Sequence, residues 1–335
     1  MRSILITVAI GLAFTLGVAS APSAQSNRPF PARQSERTSH SKPGPHSSPK
    51  TLADAAEKNP GSRHPFDMIP ENEIRLKASY GFSSDLRRGT VSEGRVAGLH
   101  LDWGYVATPN VNEDFQYRLG FEVSRSSFSY NQSNTVPNTL EGANFVAGFD
   151  WVFYPNWLLR LEARPGIYST GSDFDSRAFN VPLLLGASYF VDRDLNWIFG
   201  LTFNAWRDIP VIPGVGVRWA FARDWQANLV FPTPRLEYRV APGVRVYAGG
   251  EWKGGSYRTE QDFGDTHGDP ALNNALLDYR EIRAGGGVRV QPNDALAFEL
   301  ETGAMLDRRY HYFRADKQIR SDTAPYVQLG ASFRF

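Results

Sequence analysis

From residue 71 to the end of the 335-residue chain, apolar side chains return at every second position, with polar or small residues between them. Ile74, Leu76, Ala78, Tyr80 and Phe82 alternate with Arg75, Lys77, Ser79 and Gly81. The same rhythm runs through Phe115 to Ser124, Phe145 to Phe153, Val244 to Lys253 and Leu296 to Glu301. Side chains on a β-strand point to opposite faces in turn, so this period predicts strands with one greasy and one polar face. A weak helical stripe occurs only around Thr51 to Lys58, well before that body. The expected fold class is all-β.

The connections between strands fall into two alternating kinds. Short ones, such as Tyr154-Pro155-Asn156, Ala222-Arg223-Asp224, Ala241-Pro242-Gly243 and Pro292-Asn293-Asp294, carry the residues that tolerate tight turns. Longer polar ones are expected at 85–93, 129–141, 171–177, 259–277 and 311–322. Short turns on one rim and long loops on the other are the pattern of an antiparallel transmembrane β-barrel of the outer membrane. Strand starts near 73, 95, 115, 142, 157, 178, 196, 211, 225, 235, 244, 278, 295 and 324 make 14 strands. The pair 225–231 and 235–240 is shorter than the roughly 9–11 residues a spanning strand needs. If it is only a rim hairpin, the count is 12. Either number is even and puts both barrel ends on one side.

Alternation does not say which face is dry, since a soluble sandwich alternates as well. The tryptophans favour lipid: Trp151, Trp157, Trp197, Trp219 and Trp225 all lie close to the short turns, where indole rings mark a membrane interface. Charges on the opposite face are then lumenal, with Arg75, Arg118, Arg160, Arg164, Arg218, Arg235, Glu237, Arg239 and Glu251 as candidate lining or constriction residues. Pro210, Pro213, Pro232 and Pro234 remove ladder donors around two hairpins. They point either to a bent outer rim or to a loosened wall acting as a constriction or lateral gate.

Composition narrows the function. With no cysteine there is no disulfide framework, thiolate metal site or cysteine nucleophile. The 36 Lys and Arg against 35 Asp and Glu lack the basic excess of a nucleic-acid binder. A mean hydropathy of −0.37 is too polar for a helical membrane protein. At the N-terminus, Arg2 precedes an uncharged run from Ile4 to Ala19 and small residues suited to cleavage. This predicts a signal peptide over 1–24 and export. Residues 25–70, rich in Pro, Ser and basic groups, bury too little apolar surface to order and are expected to form a disordered periplasmic arm. The barrel is then assigned to 71–335.

The last ten residues, Tyr326 to Phe335, end in alternating apolar positions with Phe333 and Phe335 on one face. This resembles the terminal-Phe signal of Gram-negative outer-membrane barrels, which implies the barrel-assembly machinery as a partner. A narrower resemblance spans 69–335. Leu195-Asn196-Trp197, Asp208-Ile209-Pro210-Val211-Ile212-Pro213-Gly214 and Phe231-Pro232-Thr233-Pro234-Arg235-Leu236-Glu237-Tyr238-Arg239 look like an outer-membrane β-barrel family of unknown function. That resemblance implies fold and location and no site residues.

Candidate chemistry is sparse. His100, next to Asp102 on the same strand, lacks a surrounding hydrolase motif. The loop Asp262 to Asp269 holds three carboxylates and His267 without EF-hand spacing, and is read as a solvated loop. No catalytic, cofactor or metal residue is assigned. The expected function is a passive pore or transporter for small solutes. A non-conducting structural or surface-interaction barrel is the alternative, and a membrane-embedded hydrolase a remote one. Outer-membrane lipid is the expected surrounding.

Overall fold

The computed structural model describes residues 65–131, 135–171 and 175–335. The expected signal peptide, most of the expected basic arm and the stripe at Thr51–Lys58 lie outside the described residues. The wall consists of β1 (Asn72–Arg88), β2 (Val91–Ala107), β3 (Phe115–Tyr130), β4 (Thr139–Tyr154), β5 (Trp157–Ala163 with Gly166–Ser169) and β6 (Phe179–Asn180 with Leu183–Phe190). It continues with β7 (Leu195–Phe203), β8 (Val211–Ala222), β9 (Trp225–Asn228), β10 (Arg235–Ala241) and β11 (Val244–Arg258). It ends with β12 (Leu276–Val290), β13 (Leu296–Tyr312) and β14 (Lys317–Ser321 with Ala324–Arg334). Neighbours pair antiparallel, and β1 closes on β14 from Glu73↔Arg334 to Gly81↔Tyr326. Two bonds between Asn72 and Phe335, of 3.0 and 3.1 Å, seal the seam and put both ends on the short-turn rim. The result is a closed barrel of 14 strands.

The apolar rows cover the outside. Leu76, Trp103, Leu119, Phe145, Phe199, Val215, Leu300 and Leu329 all stand exposed on the outer wall. So large a connected apolar surface is incompatible with water and natural in hydrocarbon. Near the short turns Trp151, Trp197, Trp219 and Trp225 project outward, and rings pack side by side there. Trp157 lies 4.9 Å from Tyr189, and Trp225 4.8 Å from Tyr238.

Two expected loops are strand instead. Residues 85–88 and 91–93 belong to β1 and β2, which turn through Gly89 at φ 61°. Residues 311–312 and 317–321 belong to β13 and β14. The strands persist because their inward residues still have something to bury: Leu86, Val96, Tyr310, Tyr312 and Ile319 pack with Phe128, Leu140, Tyr257, Leu277 and Tyr279 into one core inside the outer end. The 259–275 loop, whose stretch from Asp262 to Asp269 is expected to be solvated, caps this core. Its helical turn Phe263–Thr266 and the following Leu272 insert their apolar side chains. Among its carboxylates, Asp269 pairs with Lys317. Arg177, in the neighbouring loop, donates to Gln261 at 2.9 Å and to Asp175. The hydrogen bond from Arg177 holds the Asp175 carboxyl below the usual carboxylate range.

Under this cap lies a buried ion node. Glu281 accepts from Arg308 Nε and Arg283 Nε, both at 2.8 Å, and from the Tyr279 hydroxyl. The glycine pair Gly81↔Gly98 makes room for Arg308, since a Cβ on Gly81 would meet its Nη2 at 2.7 Å. Removing one partner of a buried ion pair leaves the other charge uncompensated, at a cost of about 3–5 kcal/mol. Glu281→Ala is therefore expected to lower the temperature at which the folded band converts to the unfolded band on an SDS gel. An unchanged conversion temperature would contradict the node's role.

Candidate functional site

The wall is not equally high all round. β1, β2 and β13 have 17 residues each, whereas β9 has 4 and β10 has 7. The chain between β9 and β10 turns back within the wall. Leu229 N–H reaches Val217 O at 2.8 Å, and Pro232 O accepts from Trp252 N–H at 2.8 Å. Beyond those bonds, among the described residues, β8 from Val211 to Gly216 pairs only with β7. Likewise β11 beyond Trp252 pairs only with β12, until Arg258 meets Ser169 of β5 in a single parallel bridge backed by Thr170 N–H to Arg258 O at 3.0 Å. The outer half of the barrel thus closes directly from β5 to β11, bypassing β7 to β10, and a window remains between β8 and β11.

The segment Val230-Phe231-Pro232 forms the window's floor. Its ceiling is the 204–210 loop, held by a chain from Asn180 to Asn204 (3.0 Å) and Asn204 to Ser256 (3.5 Å), and by Arg258 stacked 4.8 Å over Trp206. From Trp219 at the interface to Ile212 is seven residues, about 18 Å of height at ordinary strand rise and tilt, within the roughly 25 Å apolar band. Two free strand edges therefore face each other at bilayer depth, where unpaired backbone is tolerated only if protein or a cavity covers it. Pro213 removes one donor from the β8 edge.

Behind the window lies a cavity of about 620 Å³. Part of its floor is bare backbone: Gly200 and Gly214, direct cross-strand partners on β7 and β8, both line it, with Gly186 on β6 the next partner of Gly200. A Cβ on Gly214 would meet nothing within 4 Å. Leu184, Ile198, Thr202 and Ile212 flank these glycines, so this wall is uncharged. The opposite wall carries ions already paired: Arg75 Nη2 to Glu122 Oε1 at 3.3 Å, Lys77 Nζ to Glu251 Oε1 at 3.5 Å, and Lys253 Nζ to Asp102 Oδ2 at 2.6 Å. Arg164 joins Glu122 at 3.4 Å. One side of the space suits an apolar body and the other a polar group.

Of the candidate lumen residues, Arg75, Arg164 and Glu251 line this cavity. Arg118 and Arg160 converge on Asp150, at 3.5 and 2.6 Å, and Arg118 also holds Glu162 at 3.0 Å. Arg235, Glu237 and Arg239 share a face of β10 without pairing together. Arg235 reaches Glu301 at 3.3 Å and Glu299 at 3.5 Å, Glu237 takes Arg245 at 3.5 Å, and Arg239 lies exposed near the short-turn rim. Arg218 faces Asn228 at 3.4 Å. The glycine floor and the node around Glu281 were not read from the sequence. The available signal was three glycines at polar-face positions of consecutive strands.

His100 is fully buried. Ser126, its cross-strand partner, stands 2.7 Å from Nδ1, and Glu281 lies 3.1 Å from Nε2 but off the line of a hydrogen bond. The order serine, histidine, carboxylate is that of a hydrolase relay, but the carboxylate is occupied by Arg283, Arg308 and Tyr279. No group of three or more potential metal ligands occurs among the described residues.

A family model described as a domain of unknown function (DUF6268) matches residues 115–335, including the proline-rich window floor. The chain belongs to this family. The match is narrower than the 69–335 expected from the motifs. No curated protein matches the chain. Among solved structures, the COG4313 outer-membrane channel from Pseudomonas putida F1 is similar at 8% identity and a TM-score of 0.45, covering 80% of this chain and 97% of that one. The P. putida toluene transporter TodX has 10% identity and a TM-score of 0.41, covering 81% and 92%. The Ralstonia pickettii toluene transporter TbuX has 10% identity and a TM-score of 0.38, covering 80% and 90%. With its even strand number, lipid-facing belt and closed β1–β14 seam, the chain is an integral outer-membrane β-barrel.

Because the chain has no native cysteine, a single introduced thiol is a clean probe. Gly214→Cys, facing open space, is expected to react quickly with a small methanethiosulfonate reagent, and Leu140→Cys, inside the capped core, slowly. Equal rates would contradict the cavity.

Proposed function

We propose that the protein is a passive transporter for small, largely apolar solutes, exchanged between the lumen and the hydrocarbon layer through the window between β8 and β11. The supporting observation is the pair of free strand edges at bilayer depth, opening onto an uncharged cavity wall with bare backbone at Gly200 and Gly214. The solute's apolar body lies against Gly200, Gly214 and the flanking Ile198 and Ile212, and a weakly polar group faces the Arg75, Lys77 and Lys253 wall. Those cations already have carboxylate partners, so a free anion gains little there. Passage along the barrel axis meets the aromatic core under the 259–275 cap. This core is the feature that favours the rival reading of a non-conducting barrel.

Uptake into liposomes carrying the purified protein separates the two. A small apolar solute is expected to equilibrate faster than in protein-free liposomes, and Gly200→Trp, which fills the cavity floor, to slow it at least tenfold. Uptake no faster than the control, or unaffected by both Gly200→Trp and Gly214→Trp in folded protein, would contradict the proposal. The His100 and Ser126 pair is assigned a structural role: ester hydrolysis is expected to be absent in the parent protein and in His100→Ala alike.

A further inference from the structure

Above the apolar belt, the outer wall carries an unusual row. Arg280 on β12 is the direct partner of Arg309 on β13, Arg309 of Arg320 on β14, and Arg320 of Arg87 on β1. Each alternates with a buried inward residue, Tyr279, Tyr310, Ile319 and Leu86, so all four guanidinium groups stand on the outside. Ten residues separate Val290, near the short-turn rim, from Arg280. That is about 25 Å at ordinary rise and tilt, the height of the apolar band. The row therefore begins where the outer-leaflet headgroups begin.

Like charges directly opposite one another across a sheet are destabilising. Here three such contacts follow in succession with too few anions to balance them. Asp307 serves two of the arginines, Arg280 at 2.8 Å and Arg309 at 3.8 Å. Asp322 holds Arg87 at 3.0 Å. Arg320 meets the amide oxygen of Gln318, once that amide is turned toward it, at 2.7 and 3.1 Å. Asp278, two residues from Arg280 on the same face of β12, adds a third carboxylate but also meets Arg207 at 4.0 Å, so five guanidinium groups and three carboxylates leave the patch with a net charge of +2. The Nε atoms of Arg280 and Arg309 are buried and have no hydrogen-bond partner. Elsewhere on the same outer ring the arginines have their own carboxylates: Arg95 with Asp85 at 3.5 Å and Arg125 with Glu141 at 3.1 Å. Beside the row, Trp252 packs 5.2 Å under Arg280 and offers an apolar face at the same height.

We infer that the Arg280, Arg309, Arg320 and Arg87 row binds the phosphate groups of a phosphorylated glycolipid in the outer leaflet. Arginines that are direct partners on adjacent strands have Cβ atoms about 5 Å apart, which lets neighbouring guanidinium forks converge on the oxygens of one phosphate. A lipid supplies what a free anion does not, acyl chains lying along Phe298, Leu300 and Leu306 directly below. The proposal is independent of what passes through the window.

Native mass spectrometry of the full-length detergent-solubilised protein, titrated with bisphosphorylated lipid A, tests it. The adduct is expected with the bisphosphorylated form and at least tenfold less with a phosphate-free form. The double variant Arg309→Gln/Arg320→Gln is expected to lose it at least tenfold, while Arg95→Gln/Arg125→Gln, on the same ring, retains it. If the double variant does not fold, the exposed single variant Arg320→Gln carries the test. Equal binding of phosphorylated and phosphate-free lipid, equal loss in the two double variants, or an adduct abolished by inorganic phosphate at the lipid's own concentration would overturn the inference.

Discussion

In hydrocarbon no water satisfies a backbone amide, so every N–H and C=O of a spanning segment must find its partner within the protein. Nearly everything in this barrel follows from that requirement. The β1–β14 seam, closed down to the Asn72 and Phe335 bonds, removes the edge an open sheet would present. The even strand count and the alternation of lipid-facing and lumenal side chains follow from closing an antiparallel meander on itself. Against this background the unpaired stretch of β8 and its counterpart on β11 stand out, because they lie where the requirement is strictest.

Two further features bear on that opening. The outer end is filled as a protein core is filled, with Phe128, Tyr257, Tyr279, Tyr310 and the capping Phe263 and Leu272 in mutual contact. Beneath it the Glu281 node joins β12 and β13, and through Arg283 to Ser79 at 3.1 Å also β1. These contacts brace the tall side of the barrel from strands that do not include β7 to β10. The direct closure of β5 onto β11 then allows the low side to stop short. A window in a wall that carried the whole structure would cost it its closure; here β5 and β11 are joined above the window by the Arg258–Ser169 bridge and the Thr170 N–H to Arg258 O bond.

Much of the architecture was legible in the sequence. Fourteen strand starts, the short-turn rim and its tryptophans can all be read from period-two alternation and turn residues, because those signals are local. What was not legible depends on distant partners. Residues 85–93 and 311–322 look polar enough for loops, yet remain strand because Leu86 and Ile319 have a core to enter, which no local pattern announces. Pro232 and Pro234 did signal a disturbed wall, but their height in the bilayer depends on where Leu229 and Trp252 find their bonds. Gly186, Gly200 and Gly214 read as ordinary small residues until register lines them up. Charged residues could be assigned to the lumen by face, but which of them share a cavity is decided by pairings between strands far apart in sequence, such as Lys253 with Asp102.

The central claim, that the wall is interrupted at bilayer depth between β8 and β11, is most directly tested by amide hydrogen exchange of the protein in lipid nanodiscs. Peptides covering 211–216 and 253–257 are expected to exchange well ahead of those covering 282–290 and 296–304, whose amides lie in strands paired on both sides. Equal, slow exchange in all four segments would mean that the edges are covered and that no window exists.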